Sequence, residues 1–242
     1  MKALLRTVVA LLWSVVCCVV GLVVLYGKRS ASGWVLHRIG GVLWSRNLLR
    51  WVSSQPLEIQ GPAGVPSTEW FPQRAIYIGN HVSQLDINAV FGAIPHPVVF
   101  LAKASIRRIP LLGAVNARAG TVFVERGNKD SAVRAAQALL RTLDQGKVVF
   151  VFPEGTRSSD GTLLSFKSGA FHLALQAGVP IVPIYIDGTF EMLPKGSLWI
   201  REGRVRLRVG VPLDAPTGQG AARVEQWTSM GRAAIQDLAR EA

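Results

Sequence analysis

A histidine and an aspartate lie five residues apart in the stretch NHVSQLD, residues 80–86, and their types suit general-base chemistry. A histidine side chain ordinarily titrates near ~6.5, so it is largely neutral at pH 7 and can accept a proton. If the turn between them brings Asp86 to one ring nitrogen of His81, the carboxylate fixes the tautomer and stabilises the imidazolium as it forms. The pair therefore predicts a catalytic base at this point of the chain.

The same stretch also has a purely structural interpretation. Ser83 and Asp86 have the spacing of a capping box, in which a serine at a helix start is followed three residues later by an acid. This explains Asp86 but leaves His81 unexplained, because a histidine just before a helix start is poorly placed for core packing. The heptapeptide alone leaves both interpretations open.

The sequence offers no protein nucleophile for such a base. Ser83 lies too close to His81 along the backbone to be placed as one, and no G-x-S-x-G turn occurs. A covalent serine or cysteine route is thus unsupported. We therefore expect the attacking hydroxyl to belong to the substrate.

Metal and cofactor chemistry also find little support in the sequence. Cys17 and Cys18 are adjacent within an apolar run, so they build neither a disulfide framework nor a zinc site. The other three histidines have no ligand spacing with His81. No G-x-x-x-x-G-K-[ST] loop is present to hold a nucleoside triphosphate. We expect neither a metal nor a cofactor.

Residues suited to binding an anion follow other predicted strands. Arg126 and Arg157 can each bind a phosphate bidentately, and Lys103 can add a compact charge. Gly155 lets a ligand approach the bare backbone, and Glu154 can accept a hydrogen bond from a substrate hydroxyl. The alternative is that the arginines are solvated and that PEGTRS is an ordinary turn. The shared position of the three cations after strands favours an anion site.

The elements that must position these residues alternate between strands and helices. A helix is expected at about 131–145, with Asp130 or Ser131 capping its start and Gly146 its end, and another at 221–240. This order predicts an α/β fold with a mixed, largely parallel central sheet flanked by helices, and ligands collect at the carboxyl ends of such strands. The expected strands are 75–78, 97–102, 121–124, 147–152, 180–186 and a further one within 203–210.

The amino-terminal segment has the composition of a membrane anchor. The 21 residues between Arg6 and Lys28 carry no charge, which is about the length of a spanning helix. Val35, Ile39, Val42 and Leu43 then share one helical face. We expect a membrane helix with an interfacial helical segment over 1–60, a Gly/Pro-rich linker over 61–73, and one catalytic domain over 74–242.

Charge supports a membrane-bound protein. The net charge is +12, and residues 1–60 hold seven Lys/Arg against a single acid. Such cations favour an anionic membrane surface and a body on the cytoplasmic side of the inner membrane. Nucleic acid is not expected as a partner, because no recognisable binding motif is present.

Four blocks, taken in order, resemble those of the glycerolipid acyltransferase family, most closely its bacterial 1-acylglycerol-3-phosphate acyltransferases. They are NHVSQLD (80–86), GTVFVER (120–126), FPEGTRS (152–158) and VPIVPIYI (179–186). The resemblance implies a glycerol-3-phosphate acyltransferase-like fold. It also implies that His81 is the base, that Asp86 orients it, and that Lys103, Arg126, Glu154, Gly155 and Arg157 bind the acceptor's phosphate.

The activity implied by the resemblance is acyl transfer from acyl-CoA or acyl carrier protein to the free hydroxyl of a lysophospholipid, with lysophosphatidate favoured. No acyl-enzyme is expected. The chain departs from the family at Glu125, where aspartate is common, and at Ala104, where an acid is common. These departures keep other acceptors open, such as a lyso-ornithine lipid or glycerol 3-phosphate. A non-catalytic protein that binds anionic lipid is the alternative from another class.

Overall fold

Short runs rich in valine, isoleucine and phenylalanine form the centre of the molecule, as expected for strands that are buried on both faces. This computed structural model describes residues 2–125 and 127–241. Within these residues, seven strands form one sheet in the order β1-β7-β6-β2-β5-β3-β4. The strands are β1 Glu58–Gln60, β2 Ile76–Gly79, β3 Val98–Lys103, β4 Val122–Val124, β5 Val148–Val151, β6 Ile181–Asp187 and β7 Arg206–Val209.

The sheet is mixed and largely parallel, which confirms the predicted fold class. Strands β6, β2, β5, β3 and β4 are parallel to one another. Strand β7 pairs antiparallel with β6, and β1 pairs parallel with β7. Each strand expected from the sequence is present, and β1 adds one that had not been expected. Its residues fall within the segment assigned to the membrane-associated end, and the proposed division into domains stays a prediction.

Helices cover both faces of the sheet. One apolar cluster joins the face carrying Tyr77 and Phe150 to the helices Asn47–Val52 and Leu85–Ala93. A second joins the face carrying Ile76 and Ile78 to the helices Lys129–Asp144, Gly169–Ala177 and Gly220–Arg240. In chain order the helices are α1 Lys2–Gly27, α2 Ser32–Trp34, a π-helix Val35–Arg46, α3 Asn47–Val52, α4 Leu85–Ala93, α5 Leu112–Ala119, α6 Lys129–Asp144, α7 Gly169–Ala177, α8 Thr189–Met192 and α9 Gly220–Arg240.

Helix α6 confirms the helix expected at 131–145, but its start is capped differently. Asn128 precedes the first turn, and its side chain accepts a hydrogen bond of 2.9 Å from the backbone N–H of Ser131. The prediction that Asp130 or Ser131 is the cap was wrong, because the helix begins two residues earlier than expected. At the other end Gly146 takes the left-handed conformation, with φ of +71°, as its predicted role requires.

The segment after α1 is helical, as expected, but the four apolar residues do not share one face. Residues 35–46 form a π-helix, whose hydrogen bonds reach one residue further than those of an α-helix. Val35 and Ile39 are buried within the protein, whereas Val42 is exposed. The prediction assumed α-helical periodicity, and the wider turn moves Val42 away from the buried side.

Helix α1 is attached to the body along its length. Its buried residues, Ala10, Cys17, Gly21 and Leu25, face α5 and the π-helix. Trp13 donates a hydrogen bond from Nε1 to the Leu43 carbonyl, at 3.1 Å. Among the described residues α1 is the one helix long and apolar enough to cross a membrane. A broad apolar stripe on its other side remains exposed: Leu4, Leu5, Val8, Leu11, Leu12, Val15, Val16, Val19, Val20 and Val23.

Candidate active site

The carboxyl ends of neighbouring parallel strands bring the predicted site residues that the structure describes to one edge of the sheet. Because β2, β5, β3 and β4 are adjacent and parallel, the chain leaves each of them on the same side. His81 follows β2, Glu154 follows β5, and Lys103 ends β3. Asn80 fixes the end of β2, since its amide group donates to the Ile186 carbonyl and accepts from the Ile186 N–H of the adjoining strand β6.

His81 and Asp86 form a hydrogen-bonded pair. The Nδ1 atom of His81 lies 2.8 Å from Oδ2 of Asp86. An ionised carboxylate only accepts hydrogen bonds, so Nδ1 donates the hydrogen, and in the neutral imidazole Nε2 has a lone pair. The imidazole stacks on the Phe152 ring at a centroid distance of 3.9 Å, and 16% of the His81 side chain is exposed. This geometry fixes the orientation of the imidazole and suits it to act as a base.

Asp86 is held rigidly beneath the histidine. Its side chain is fully buried, and Oδ2 also accepts hydrogen bonds of 2.8 Å from the backbone N–H groups of Val82 and Ser83. The other oxygen, Oδ1, accepts a 2.5 Å hydrogen bond from the hydroxyl of Thr189. With these donors in place the carboxylate cannot turn away from His81.

The capping interpretation is also partly fulfilled. Asp86 accepts from the Ser83 N–H, as an acid in a capping box does, but helix α4 begins at Leu85 with Gln84 before it. The Ser83 hydroxyl donates to the Leu193 carbonyl at 2.7 Å, and the side chain is buried. One aspartate therefore serves both the helix start and the histidine. Ser83, with its hydrogen committed to a carbonyl, is poorly suited to act as a nucleophile.

Thr189 is a site residue that sequence reasoning missed. It is fully buried at the start of α8, and its hydroxyl contacts the carboxylate oxygen that is turned away from His81. No local pattern identifies it, because 103 positions separate it from Asp86. Its signal would have been a buried hydroxyl shortly after a strand of the sheet, at the edge where His81 and Asp86 lie.

Replacing Thr189 by valine should weaken the positioning of Asp86 without removing its charge. A hydrogen bond to a charged group contributes ~1.5–3 kcal/mol, so we expect turnover to fall by about tenfold. Thr189→Ser, which keeps the hydroxyl, should restore most of the rate. Steady-state kinetics of the two variants beside the parent chain test this, and equal rates for valine and serine would contradict it.

The FPEGTRS loop, residues 152–158, holds the backbone of His81 from two sides. Oε1 of Glu154 accepts a 2.6 Å hydrogen bond from the His81 N–H, and the Ser158 N–H donates to the His81 carbonyl at 2.8 Å. The other carboxylate oxygen, Oε2, accepts from the Leu164 N–H at 3.0 Å. The loop after β5 thus fixes the position of the residue that follows β2.

Glu154 is held by backbone contacts, and its predicted role in binding the acceptor stays a prediction. Its side chain is buried, and each carboxylate oxygen already accepts a hydrogen bond from a backbone N–H group. A carboxylate would also repel a phosphate. Burial raises the pKa of the Glu154 carboxyl above its ordinary value, against the opposing effect of the two N–H donors. The geometry supports a positioning role for Glu154.

Gly155 occupies a conformation that favours glycine, with φ of +70°. A Cβ atom at this position would come within 3.0 Å of Nζ of Lys167. The ammonium of Lys167 therefore lies over the turn, a cation that the sequence analysis did not identify. Lys195 is a second one, since its ammonium donates to the Arg157 carbonyl at 2.9 Å.

Two of the predicted anion-binding cations, Arg157 and Lys103, lie at this edge of the sheet. Arg157 is half-buried and adjoins Ser158, which bonds to His81. Lys103 is exposed at the end of β3, two strands from β2, or about 10 Å at ~4.8 Å per strand. Arg126, two residues beyond the end of β4, lies outside the described residues, and its role stays a prediction.

Comparison with known proteins shows which protein family and which relatives this chain is similar to. A family model described as Acyltransferase matches residues 57–187. A 1-acyl-sn-glycerol-3-phosphate acyltransferase of Limnanthes alba is 36% identical over 179 residues, covering 74% of this chain and 59% of its own length. A protein of the same name from Haemophilus influenzae is 33% identical, and the match covers 62% of each chain. The chain thus spans about three fifths of the length of these relatives.

A solved structure extends the likeness to nearly the whole chain. The crystal structure of the 1-acyl-sn-glycerophosphate (LPA) acyltransferase PlsC from Thermotoga maritima matches with a TM-score of 0.76 and 28% identity. The match covers 98% of this chain and 96% of that one, including the amino-terminal helix.

Proposed function

Because the chain belongs to the Acyltransferase family, we propose that it transfers an acyl chain from a thioester donor to the free hydroxyl of 1-acylglycerol-3-phosphate, giving phosphatidate. The donor is acyl-CoA or acyl carrier protein. The observation that carries the proposal is the hydrogen bond between His81 and Asp86, which fixes the orientation of the imidazole at the edge where cations gather. The names of the relatives and of the matching structure support the acceptor.

In the proposed mechanism His81 acts as a general base. Its Nε2 takes the proton from the acceptor hydroxyl as that oxygen attacks the thioester carbonyl carbon. The tetrahedral intermediate collapses, the carbon–sulfur bond breaks, and the departing thiolate receives the proton from His81. Asp86 stabilises the imidazolium between these steps. No acyl-enzyme forms, in keeping with the hydroxyl of Ser83 being committed to the Leu193 carbonyl.

The acceptor phosphate is proposed to lie against Lys103, Arg126 and Arg157. Support comes from the half-buried Arg157 beside the His81 loop and from Lys103 at the neighbouring strand end. The turn at Gly155 contributes close backbone approach, with Lys167 above it. Glu154 is assigned to holding His81 and not to the phosphate.

Removing a positive charge from this cluster should weaken the binding of the acceptor. For Arg157→Gln and Lys103→Gln we expect a roughly tenfold higher apparent KM for lysophosphatidate each, because a hydrogen bond to a charged group contributes ~1.5–3 kcal/mol. The kcat should change less. Arg74→Gln, which removes an exposed charge just before β2 at the opposite edge, is the matched control. An unchanged KM in both site variants would refute the assignment.

A labelled-acyl assay with a panel of lysolipids tests the function itself. We expect transfer to lysophosphatidate to exceed transfer to glycerol 3-phosphate and to a lyso-ornithine lipid. A preference for one of those two acceptors would support the proposed reaction type but change the assigned acceptor. Lipid binding without consumption of any thioester would instead favour a non-catalytic protein.

We also propose that α1 lies along the membrane surface on the cytoplasmic side of the inner membrane. Its amino end is tied to the body by the Arg6–Glu202 ion pair and by the Ile200 N–H, which donates to the Thr7 hydroxyl at 2.9 Å. A helix attached in this way would pull the domain into the bilayer if it crossed it. The exposed apolar stripe can instead enter one leaflet while the other side stays packed on the body.

A further inference from the structure

A basic groove runs between the edge strand β4 and helix α6. It encloses about 380 Å³, which is within the ~300–1,000 Å³ of ordinary small-molecule sites. Four cationic side chains line it: Arg107, Arg134, Arg141 and Lys147. None of them belongs to the acceptor cluster at the strand ends.

The groove holds an excess of positive charge. No carboxylate is among its lining residues, and among residues 2–125 and 127–241 no salt bridge involves any of the four cations. The surrounding sequence, residues 101–147, carries nine Lys/Arg against three Asp/Glu. Burial lowers the pKa of Lys147, so a bound anion would stabilise its charged form. Four like charges around one cleft are best explained by an anionic ligand.

The groove reaches toward the catalytic edge at one end. Phe123 and Ser131 line it near the carboxyl end of β4, and the Arg107 guanidinium lies 5.9 Å from the centre of the Phe123 ring. Strand β4 stands three positions from β2 in the sheet, so the lateral distance to the His81 end is about 14 Å at ~4.8 Å per strand.

Resting on the function proposed above, we propose that this groove binds the phosphorylated nucleotide end of a coenzyme A thioester donor. That end carries a diphosphate and a 3′-phosphate in a compact volume, which suits several cations close together. The pantetheine arm between its phosphate and sulfur contains about 13 bonds. At the ~1.2 Å per bond of an extended chain it spans roughly 15 Å, enough to reach His81.

The shape of the groove favours this ligand over a carrier protein. A folded partner usually needs ~800 Å² of contact on each side, whereas the groove is a cleft between a helix and a strand edge. Phe123 offers a ring on which a purine can stack, with Arg107 beside it. A carrier protein presents acidic side chains but no purine, so the two donors make different demands on the groove.

The test compares two donors in the Arg134→Gln/Arg141→Gln double variant. One donor is acyl-CoA, and the other is the same acyl group on pantetheine, which lacks the nucleotide and all of its phosphates. We expect the apparent KM for acyl-CoA to rise about tenfold or more, since two charge-assisted contacts are lost, with kcat unchanged. The KM for the truncated donor should stay the same. Arg240→Gln, an exposed arginine at the end of α9, is the control.

Other outcomes overturn the proposal. Equal KM values for acyl-CoA in the parent and the double variant, or an equal rise for both donors, would contradict it. So would a selective loss with acyl carrier protein, which would point to protein docking, or a loss of binding to anionic vesicles that lowers all rates together. If the parent chain uses no donor at all, the proposed function fails. Calorimetry with adenosine 3′,5′-bisphosphate then tests the groove alone: binding lost in the double variant supports it, and no binding by the parent refutes it.

Discussion

Replacement of His81 by alanine is expected to lower acyl transfer by ~10²–10⁴-fold, the usual contribution of a positioned base. The change removes the proposed base, an imidazole that is oriented by the buried Asp86 carboxylate. The fold should survive, because Asp86 keeps its hydrogen bonds from Val82, Ser83 and Thr189, and because the contacts of Glu154 and Ser158 are made to the His81 backbone. Turnover with labelled acyl-CoA and lysophosphatidate, beside a thermal unfolding curve, measures both effects.

His172→Ala is the matched control for this experiment. His172 is exposed on helix α7, away from the strand ends that hold His81 and Asp86. Its removal should leave turnover within about twofold of the parent chain, as for most surface substitutions. Near-normal turnover in His81→Ala would show that the base is another residue or that the step needs none.

The two substitutions at Asp86 should separate catalysis from stability. In Asp86→Asn the amide oxygen can still accept from Val82 and Ser83, while the amide NH₂ can donate to the Thr189 hydroxyl. The fold should persist and turnover should fall by ~10²–10⁴-fold, because the imidazolium loses its stabilising charge. Asp86→Ala leaves buried N–H groups without an acceptor, at about 1–3 kcal/mol each, and should destabilise the protein by several kcal/mol.

Denaturant unfolding of both Asp86 variants measures the stability difference. Asp237→Ala, at an exposed position on α9, removes the same charge without touching the site and should change little. An Asp86→Ala protein as stable as the parent would show that the backbone N–H groups find other acceptors. A fully active Asp86→Asn protein would show that the mechanism does not need the negative charge of Asp86.

Much of the fold could be predicted from local patterns in the sequence. Strands β2, β3, β5 and β6 are runs of β-branched and aromatic residues buried on both faces, and such runs are recognisable without knowing their partners. Strand β1, with three residues, one of them exposed, lacks such a run. The π-helix had no signal at all, because its sequence is compatible with an α-helix and its wider turn depends on packing against α1 and α4.

The candidate site shows the same limit at the level of side chains. His81 and Asp86 could be paired from their spacing, because a short turn determines whether they meet. Thr189 and Glu154 could not be placed, because their contacts depend on which strands are neighbours in the sheet. A glutamate in a polar loop suggests a solvent-facing ligand. Only the register of β5 beside β2 shows that its Oε1 accepts a hydrogen bond from the His81 N–H, in the loop after β2.

The attachment of α1 has a practical consequence for preparing the protein. The helix covers Val35, Leu36 and Ile39 on one side and exposes its own apolar stripe on the other. A chain shortened to begin after Gly27 would therefore lose the apolar stripe that can contact lipid. It would also expose apolar residues that α1 covers. The chain with α1 retained, in detergent micelles, is the appropriate sample, and turbidity on detergent removal would reflect unfolding as well as lost solubility.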